Sequence, residues 1–222
     1  MYSPGSLATP PALLRALSIL CLLALGAPAP AGADTFTVSN TDDSGSGSLR
    51  QAIIDANGTN GADQIVFDAT LVGQTITLDS ALPVIAESVT IDGEAAAGLT
   101  IDGDGSGRVF FVDTGTVEIA NLDVVGGAAE GGAGAGRGGG GLGAGGGLFV
   151  ASGAQVTLRN VVFDDHTAEG GDGGDGSSDG GGGGGLGGAG GLAAGGGGGF
   201  GADDDGEDGT ALAGGKGGGT LG

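Results

Sequence analysis

The 222 residues include one cysteine, no tryptophan, one tyrosine, one histidine and only six lysines and arginines. Each shortage excludes something. The cysteine, Cys21, sits inside an apolar stretch near the N-terminus. Beyond it the chain has no disulfide, thiol nucleophile or zinc-thiolate site. The tyrosine is Tyr2, so aromatic platforms for stacking sugar rings are almost absent from the remainder. The basic residues face 27 acidic ones, for a net charge of −21. That balance excludes nucleic acid as a partner, because phosphate contacts need lysine and arginine. It also opposes adsorption to anionic lipid. It favours solubility and loose attraction of divalent cations, and the plain reading is a solvated acidic surface.

Long hydrophobic runs are also missing. The longest, Ala16 to Leu25 (ALSILCLLAL), is too short to span a bilayer comfortably. Arg15 supplies a positive flank, Pro28 and Pro30 break the run, and Ala31-Gly32-Ala33 has the small-x-small form of a cleavage site. Residues 1–33 therefore read as a secretory signal peptide cleaved near Ala33, with an uncleaved anchor as the alternative. Cys21 follows Leu20 where a lipid-anchor cysteine follows a small residue, which disfavours a lipoprotein. Removal of 1–33 takes Cys21 and Arg15 away and leaves five basic against 27 acidic side chains, a net of −22.

What is abundant is glycine. Of 58 glycines, 14 lie in 1–125 and 44 in 126–222. The first part is rich enough in Val, Ile, Leu and Phe for a core. In 167–222 the only such residues are Leu186, Leu192, Phe200, Leu212 and Leu221. Five large apolar side chains do not offset ordering entropy of roughly 1–2 kcal/mol per residue.

From Val84 to Gly126 short β-branched segments recur: Val89-Thr90-Ile91, Leu99-Thr100-Ile101, Val109 to Val112, Val117 to Ile119 and Leu122 to Val125. The first three start ten positions apart, with Asp-Gly or glycine-rich turns between. Thr90 to Gly93 and Thr100 to Gly103 both read Thr-Ile-Asp-Gly. Such segments are too short for helices, and a recurring strand plus tight turn is one rung of a solenoid. Later, 116–124 aligns with 155–163, placing Asn121 and Asn160 in register 39 positions apart. Stacked asparagines at a solenoid corner bond to backbone and to each other, a structural role.

Upstream, Thr35 to Val38 predicts a strand. Ser48 and Gln51 have capping-box spacing, with the serine capping a helix and the glutamine bonding back. Leu49, Ala52, Ile53 and Ala56 form one apolar stripe, Asn57-Gly58 ends the helix, and Gln64 to Phe67 is the next strand. A short amphipathic helix here covers the end of the hydrophobic column and blunts the first strand edge.

The string FTVSNTDDSGSGSLRQAIIDAN, then GADQIVFD, LVGQTITLDSALPVIAESVTIDG and LTIDGDGSGRVF, resembles the N-terminal part of bacterial right-handed parallel β-helix surface proteins with a CSLREA-type motif, many of them autotransporter-like. The resemblance covers about 35–166. Gly47 stands where the motif has cysteine and Gln51 where it has glutamate, and neither change harms a helix cap. The resemblance implies a β-helical passenger or adhesin-like exoprotein and carries over no catalytic residue.

Between the aligned rungs lies a glycine-rich tract, 126–147, followed by the strand Leu148-Phe149-Val150. It predicts a mobile spacer loop thrown out between coils, and a second tract from Gly170 to the end predicts a largely disordered acidic tail. No further complete rung follows Phe163, and no closing cap, barrel strands or anchoring signal appear in 167–222. Either the protein continues or the tail folds over the open end.

Several motifs could carry chemistry. Asp102, Asp104, Ser106, Gly107 and Asp113 occupy calcium-loop positions, but strands rather than helices flank them, Asp replaces Glu at the last position, and turn chemistry explains Asp-Gly repeats without metal. Gly170 to Asp175 matches the start of a β-roll calcium repeat, yet Ser177 stands where a large apolar residue belongs and nothing repeats in tandem. Asp203 to Asp208 reads as a solvated charge run. Gly176 to Gly180 has a hydrolase-elbow pattern without its strand and helix, and Lys216 lacks the rest of a phosphate loop. Asp164-Asp165-His166 is the most enzyme-like cluster, since β-helix lyases and hydrolases of acidic polysaccharides use carboxylates on the outer face. Arg159 is its only nearby cation, and its place directly after the last rung is where a polar turn is expected.

The sequence thus predicts an all-β protein, a right-handed parallel β-helix with a short N-terminal capping helix and glycine-rich, largely disordered loops and tail. Its segments are a signal peptide (1–33), a β-helix (34–166) and a low-complexity tail (167–222). The expected function is structural or adhesin-like, at the cell surface or outside the cell, with no catalysis and no cofactor. Partners would be host- or cell-surface molecules or further copies of the chain, with no membrane span in the mature protein. The alternatives are a polysaccharide-active enzyme using Asp164, Asp165 and His166, and a calcium-dependent exoprotein.

Overall fold

The computed structural model describes residues 32–176 and 184–186. The expected signal peptide up to residue 31, most of the hydrolase-like pattern, the acidic run 203–208 and Lys216 lie outside the described residues.

Apolar residues alternating with polar ones produce short strands, and glycine or aspartate ends most of them, though Ser39 follows β1 and Leu78 follows β3. The strands are β1 (Thr35–Val38), β2 (Asp63–Phe67), β3 (Thr75–Thr77), β4 (Val89–Asp92), β5 (Thr100–Asp102), β6 (Phe110–Val125), β7 (Ala128–Glu130), β8 (Leu148–Asp164) and β9 (Thr167–Glu169). Among the described residues there is one α-helix, α1 (Leu49–Asn57), after β1, and there are two short 3-10 turns, Ala69–Leu71 and Glu94–Ala96. The protein is mostly β, and among the described residues every strand pairing is parallel.

Successive passes of the chain stack in register, so like residues form columns. In the first ladder Phe36, Ile65, Ile91, Ile119 and Leu158 are aligned through β1, β2, β4, β6 and β8. In the second, Ile76, Ile101, Val124 and Phe163 are aligned through β3, β5, β6 and β8. A third joins Ile85, Val112 and Val150. The segments expected as separate strands over 109–125 are one long strand, β6. It bends where its register slips between Val112 and Thr114, and at Asn121, whose φ is 57°. Because β6 and β8 run through these bends, the ladders join into one curled seven-stranded parallel sheet. Columns of Ile, Leu, Val and Phe from its inner face make the core. Burial of each such side chain contributes about 1.5–3 kcal/mol.

Helix α1 forms as its sequence requires. Ser48 accepts a hydrogen bond from Gln51 N–H at 3.1 Å, and Leu49, Ala52, Ile53 and Ala56 are buried. Gln51 does not bond back to residue 48. Its amide donates to Asp55 Oδ1 at 2.8 Å, while Ser48 N–H turns to Gly45 C=O. Asn57 does more than end the helix. Its side-chain amide donates to Val84 C=O at 2.7 Å and its Oδ1 accepts from Ala86 N–H at 3.0 Å, as a neighbouring strand would. Arg50 donates to Ser80 C=O (2.9 Å) and Ala81 C=O (2.6 Å), and Asp43 Oδ1 accepts from Asp79 N–H (3.0 Å). The helix and the turn before it therefore bond side chains to Asp79, Ser80, Ala81, Val84 and Ala86 along the backbone edge of 79–86.

The glycine-rich tract 126–147 departs from expectation. It is not a spacer thrown clear of the stack. β7, inside it, pairs with β9. Beyond β7, Gly131 N–H bonds to Glu169 C=O, Gly132 N–H to Gly185 C=O, Gly141 N–H to Gly132 C=O and Gly171 N–H to Gly141 C=O, all between 2.8 and 3.0 Å. Gly131, Gly132, Gly136, Gly146 and Gly147 are buried. The physical reason is close approach: a Cβ at Gly141 or Gly171 would land on a neighbouring carbonyl oxygen. Without side chains the segments come near enough for backbone groups to satisfy one another, and hydrogen bonds replace apolar burial as the ordering force. The same pairing extends order into the start of the expected tail, through Gly176 and at 184–186.

Candidate functional site

The residues singled out for chemistry fall on turns of the stack. Asp164 ends β8, and its Oδ1 accepts from Asp165 N–H at 3.0 Å. Asp165 holds a left-handed φ of 55°, following the pairing of Val125 with Asp164 just as Gly126 (φ 63°) follows it on the other strand. His166 turns back onto the stack. Its Nδ1 accepts from Gly127 N–H at 2.9 Å, so the ring proton lies on Nε2, which donates to Val124 C=O at 3.1 Å. Phe163 packs against the ring with centroids 5.7 Å apart. The imidazole thus staples the end of β6 to the start of the glycine-rich layer. Three residues adjacent in sequence divide into a corner pair of carboxylates and a histidine whose two nitrogens are both engaged by backbone.

The calcium-loop candidates form a turn of the same kind. Asp102 Oδ1 accepts from Asp104 N–H at 2.9 Å, and Asp104 has a φ of 46°. Ser106 Oγ lies 2.8 Å from Leu78 C=O and 2.7 Å from Gly103 C=O, so its proton serves these carbonyls. Asp113 is placed elsewhere: Asp102 belongs to the second ladder, whereas Asp113 follows Val112 in the third and donates its N–H to Ile85 C=O at 2.9 Å. Among the described residues no three His, Cys, Asp or Glu side chains gather as a metal site requires.

The asparagine stack is present. Asn160 donates to Asn121 Oδ1 at 3.0 Å, and Asn121 donates to Asp92 Oδ1 at 2.7 Å. Both asparagines adopt left-handed backbone, φ 57° and 54°, which asparagine tolerates better than most residues. Beside this corner Arg159 reaches Glu118 at 3.0 Å and Asp92 at 3.7 Å. A depression of about 190 Å³ opens there, lined by Glu94, Leu99, Asn121, Asp123, Asn160 and Val162 among others. It is smaller than the roughly 300–1,000 Å³ of drug-sized ligand sites. Its amides and carboxylates offer hydrogen bonds to a polar group on an otherwise acidic wall.

Two basic residues that composition alone left without a role are structural anchors. Arg108 is half-buried over the packed pair Phe111 and Phe149, 5.5 and 5.2 Å from their centroids. It donates to Ala144 C=O through Nη2 at 2.7 Å and Nε at 3.1 Å, and Nε also reaches Gly145 C=O. Burial lowers its pKa from the ordinary arginine value. Arg50 is paired with Asp43. Burial raises the Asp43 carboxyl, but hydrogen bonds from Arg50 and Asp79 N–H and the Arg50 charge outweigh it, and the net shift is downward. The available signal was scarcity: in a chain with six basic residues, each one preceding a strand or starting a helix marks a contact worth seeking.

Comparison of the chain with protein-family models, with curated proteins and with solved structures found no match.

Proposed function

We propose that this chain is a secreted or cell-surface right-handed parallel β-helix exoprotein, adhesin-like and non-catalytic, of the autotransporter-like kind its N-terminal string resembles. The observation that supports this reading best is the register-aligned stack. Columns of Ile, Leu, Val and Phe run through β2, β4, β6 and β8, while carboxylates and asparagines occupy the corners outside. A stack of this kind is a stiff spacer whose length grows with each pass and whose outer wall presents side chains at a regular spacing. The commitment of both His166 nitrogens to backbone favours the corner role of Asp164, Asp165 and His166 over an acid–base role. Its partner would be a cell-surface molecule or another copy of the chain, engaged by the wall rather than by an enclosed pocket.

The test is to raise antibodies to the purified protein and probe intact and lysed cells of its own host, alongside adhesion of a deletion strain. Labelling of intact cells, with loss of adhesion or aggregation in the deletion strain, is expected. Label confined to lysed cells, on a chain retaining its N-terminal 33 residues, would overturn the reading.

A further inference from the structure

Asp63 is out of place in the first ladder. Its aligned positions on later passes are Val89, Val117 and Val156. It is 1 % exposed. Its Oδ1 accepts from Asp34 N–H at 2.8 Å and its Oδ2 from the Thr59 hydroxyl at 2.6 Å. Among the described residues no basic side chain pairs with it. A buried carboxylate is costly without a positive partner, and this one faces two neutral donors.

One of those donors changes on processing. Asp34 directly follows Ala31-Gly32-Ala33. Hydrolysis of the Ala33–Asp34 bond by a signal peptidase adds the hydroxyl of water to the Ala33 carbonyl carbon and its proton to the Asp34 nitrogen. The resulting amine takes up a further proton at neutral pH. The donor 2.8 Å from Asp63 is then an ammonium. A second feature marks the same spot. Gly61, at φ 145°, lies so close under Gly32 that a Cβ there would meet the Gly32 carbonyl oxygen. The last leader residues therefore lie across the turn that carries Thr59 and Asp63, and their removal clears it.

We propose that Asp63 is the receptor for the N-terminus created by cleavage after Ala33, and that the Asp34 ammonium–Asp63 pair locks β1 onto β2 only in the processed chain. This rests on the reading of the chain as an exported protein. Exchange of an amide donor for a charged one strengthens the hydrogen bond and supplies the missing counter-charge. The other titratable groups on the segments bonded here are Asp34 itself, Asp55 in α1, whose carbonyl accepts from Thr59, and Glu87, next to Ser88, whose carbonyl accepts from Asp63 N–H. All are carboxylates, so no cation competes for Asp63.

The experiment exports the full precursor and reads the N-terminus of the product by mass spectrometry. A second precursor carries one glycine inserted after Ala33, so that processing leaves that glycine ahead of Asp34. Melting temperatures are compared from pH 6 to pH 10. The paired ammonium has a pKa above its unfolded value of about 7.7–8.0. Its contribution is complete below that value and is lost as pH rises through the folded value. The product beginning at Asp34 should melt about 5 °C higher at pH 6–7, with the gap closing by about pH 10. Asp63→Val, which restores the column residue of the other passes, should fold and abolish the gap. Equal melting of both products at pH 6–7 would overturn the receptor while leaving export intact, as would an exported product that begins elsewhere. A precursor that is never exported would remove the underlying reading and the proposal together.

Discussion

The two ends of the stack are built from similar residues and finished differently. At the N-terminal end Asn57, Arg50 and Asp43 bond five backbone groups of 79–86, and α1 covers the core beside them. At the C-terminal end β8 pairs with β6 on one side, and among the described residues no strand lies on the other. The contrast is measurable within single columns. Ile119 and Val112 are wholly buried in β6, whereas their stacking partners Leu158 and Val150 are 45 and 40 % exposed in β8. The same inward-facing pattern makes a core when it is covered and a sticky edge when it is not. Sequence repeats therefore specify a rung, but its stability depends on the next pass.

Truncation within one column gives the largest expected effect. Ile119→Ala removes a side chain packed from both sides and should cost about 3–4 kcal/mol, whereas Leu158→Ala should cost about 1 kcal/mol. Urea unfolding of both variants measures this, and equal losses would mean that β8 is covered after all. Asn57→Ala tests the capped end. It leaves Val84 C=O and Ala86 N–H to solvent or unpaired, for a loss of about 2 kcal/mol and faster amide exchange over 79–86. Acid sharpens the same contrast. The Asp43 carboxyl is shifted down in the folded chain, so its contribution is present above the unfolded value of about 4 and lost as pH falls through the lower folded value. Below about pH 4 amides in 79–86 should lose protection before those of β6, and Asp43→Asn should abolish that early step. The smallest effect is a gain. Asp165→Gly relieves a left-handed aspartate at the open end and should stabilise by about 0.5–1 kcal/mol, measured as a rise in urea midpoint.

Local chemistry carried much of the fold into the sequence. The Ser48 cap, the Leu49, Ala52, Ile53 and Ala56 stripe, the Thr-Ile-Asp-Gly turns and the Asn121–Asn160 register are legible because each depends on residues a few positions apart or on an exact repeat. Three features were not. Order in 126–147 rests on backbone-to-backbone bonds between distant glycines, and glycine composition describes chain freedom without showing what partners are in reach. The bonds from Arg50 and Asn57 to an edge some 30 residues away depend on how passes stack. Asp63 looks like an ordinary strand-start residue until its column is known to hold valines. Among the chemical candidates, Asp164, Asp165 and His166 were found as a cluster, but the inward turn of His166 follows from Gly127 and Val124, which no local pattern links to it.

Among the described residues β8 is an open edge at one end of the stack, whereas at the other end α1 and its neighbouring side chains cover the core and part of the backbone edge. Amide hydrogen exchange resolved to single residues tests it most directly. In an edge strand successive N–H groups point alternately to the partner and away, so on either side of Asn160 alternate amides of 155–164 should be protected and the rest exchange freely, while 117–120 in β6, paired with both β4 and β8, is protected throughout. Uniform protection along 155–164 would mean that β8 is not an edge, because it would require a further pass or another chain to pair with it.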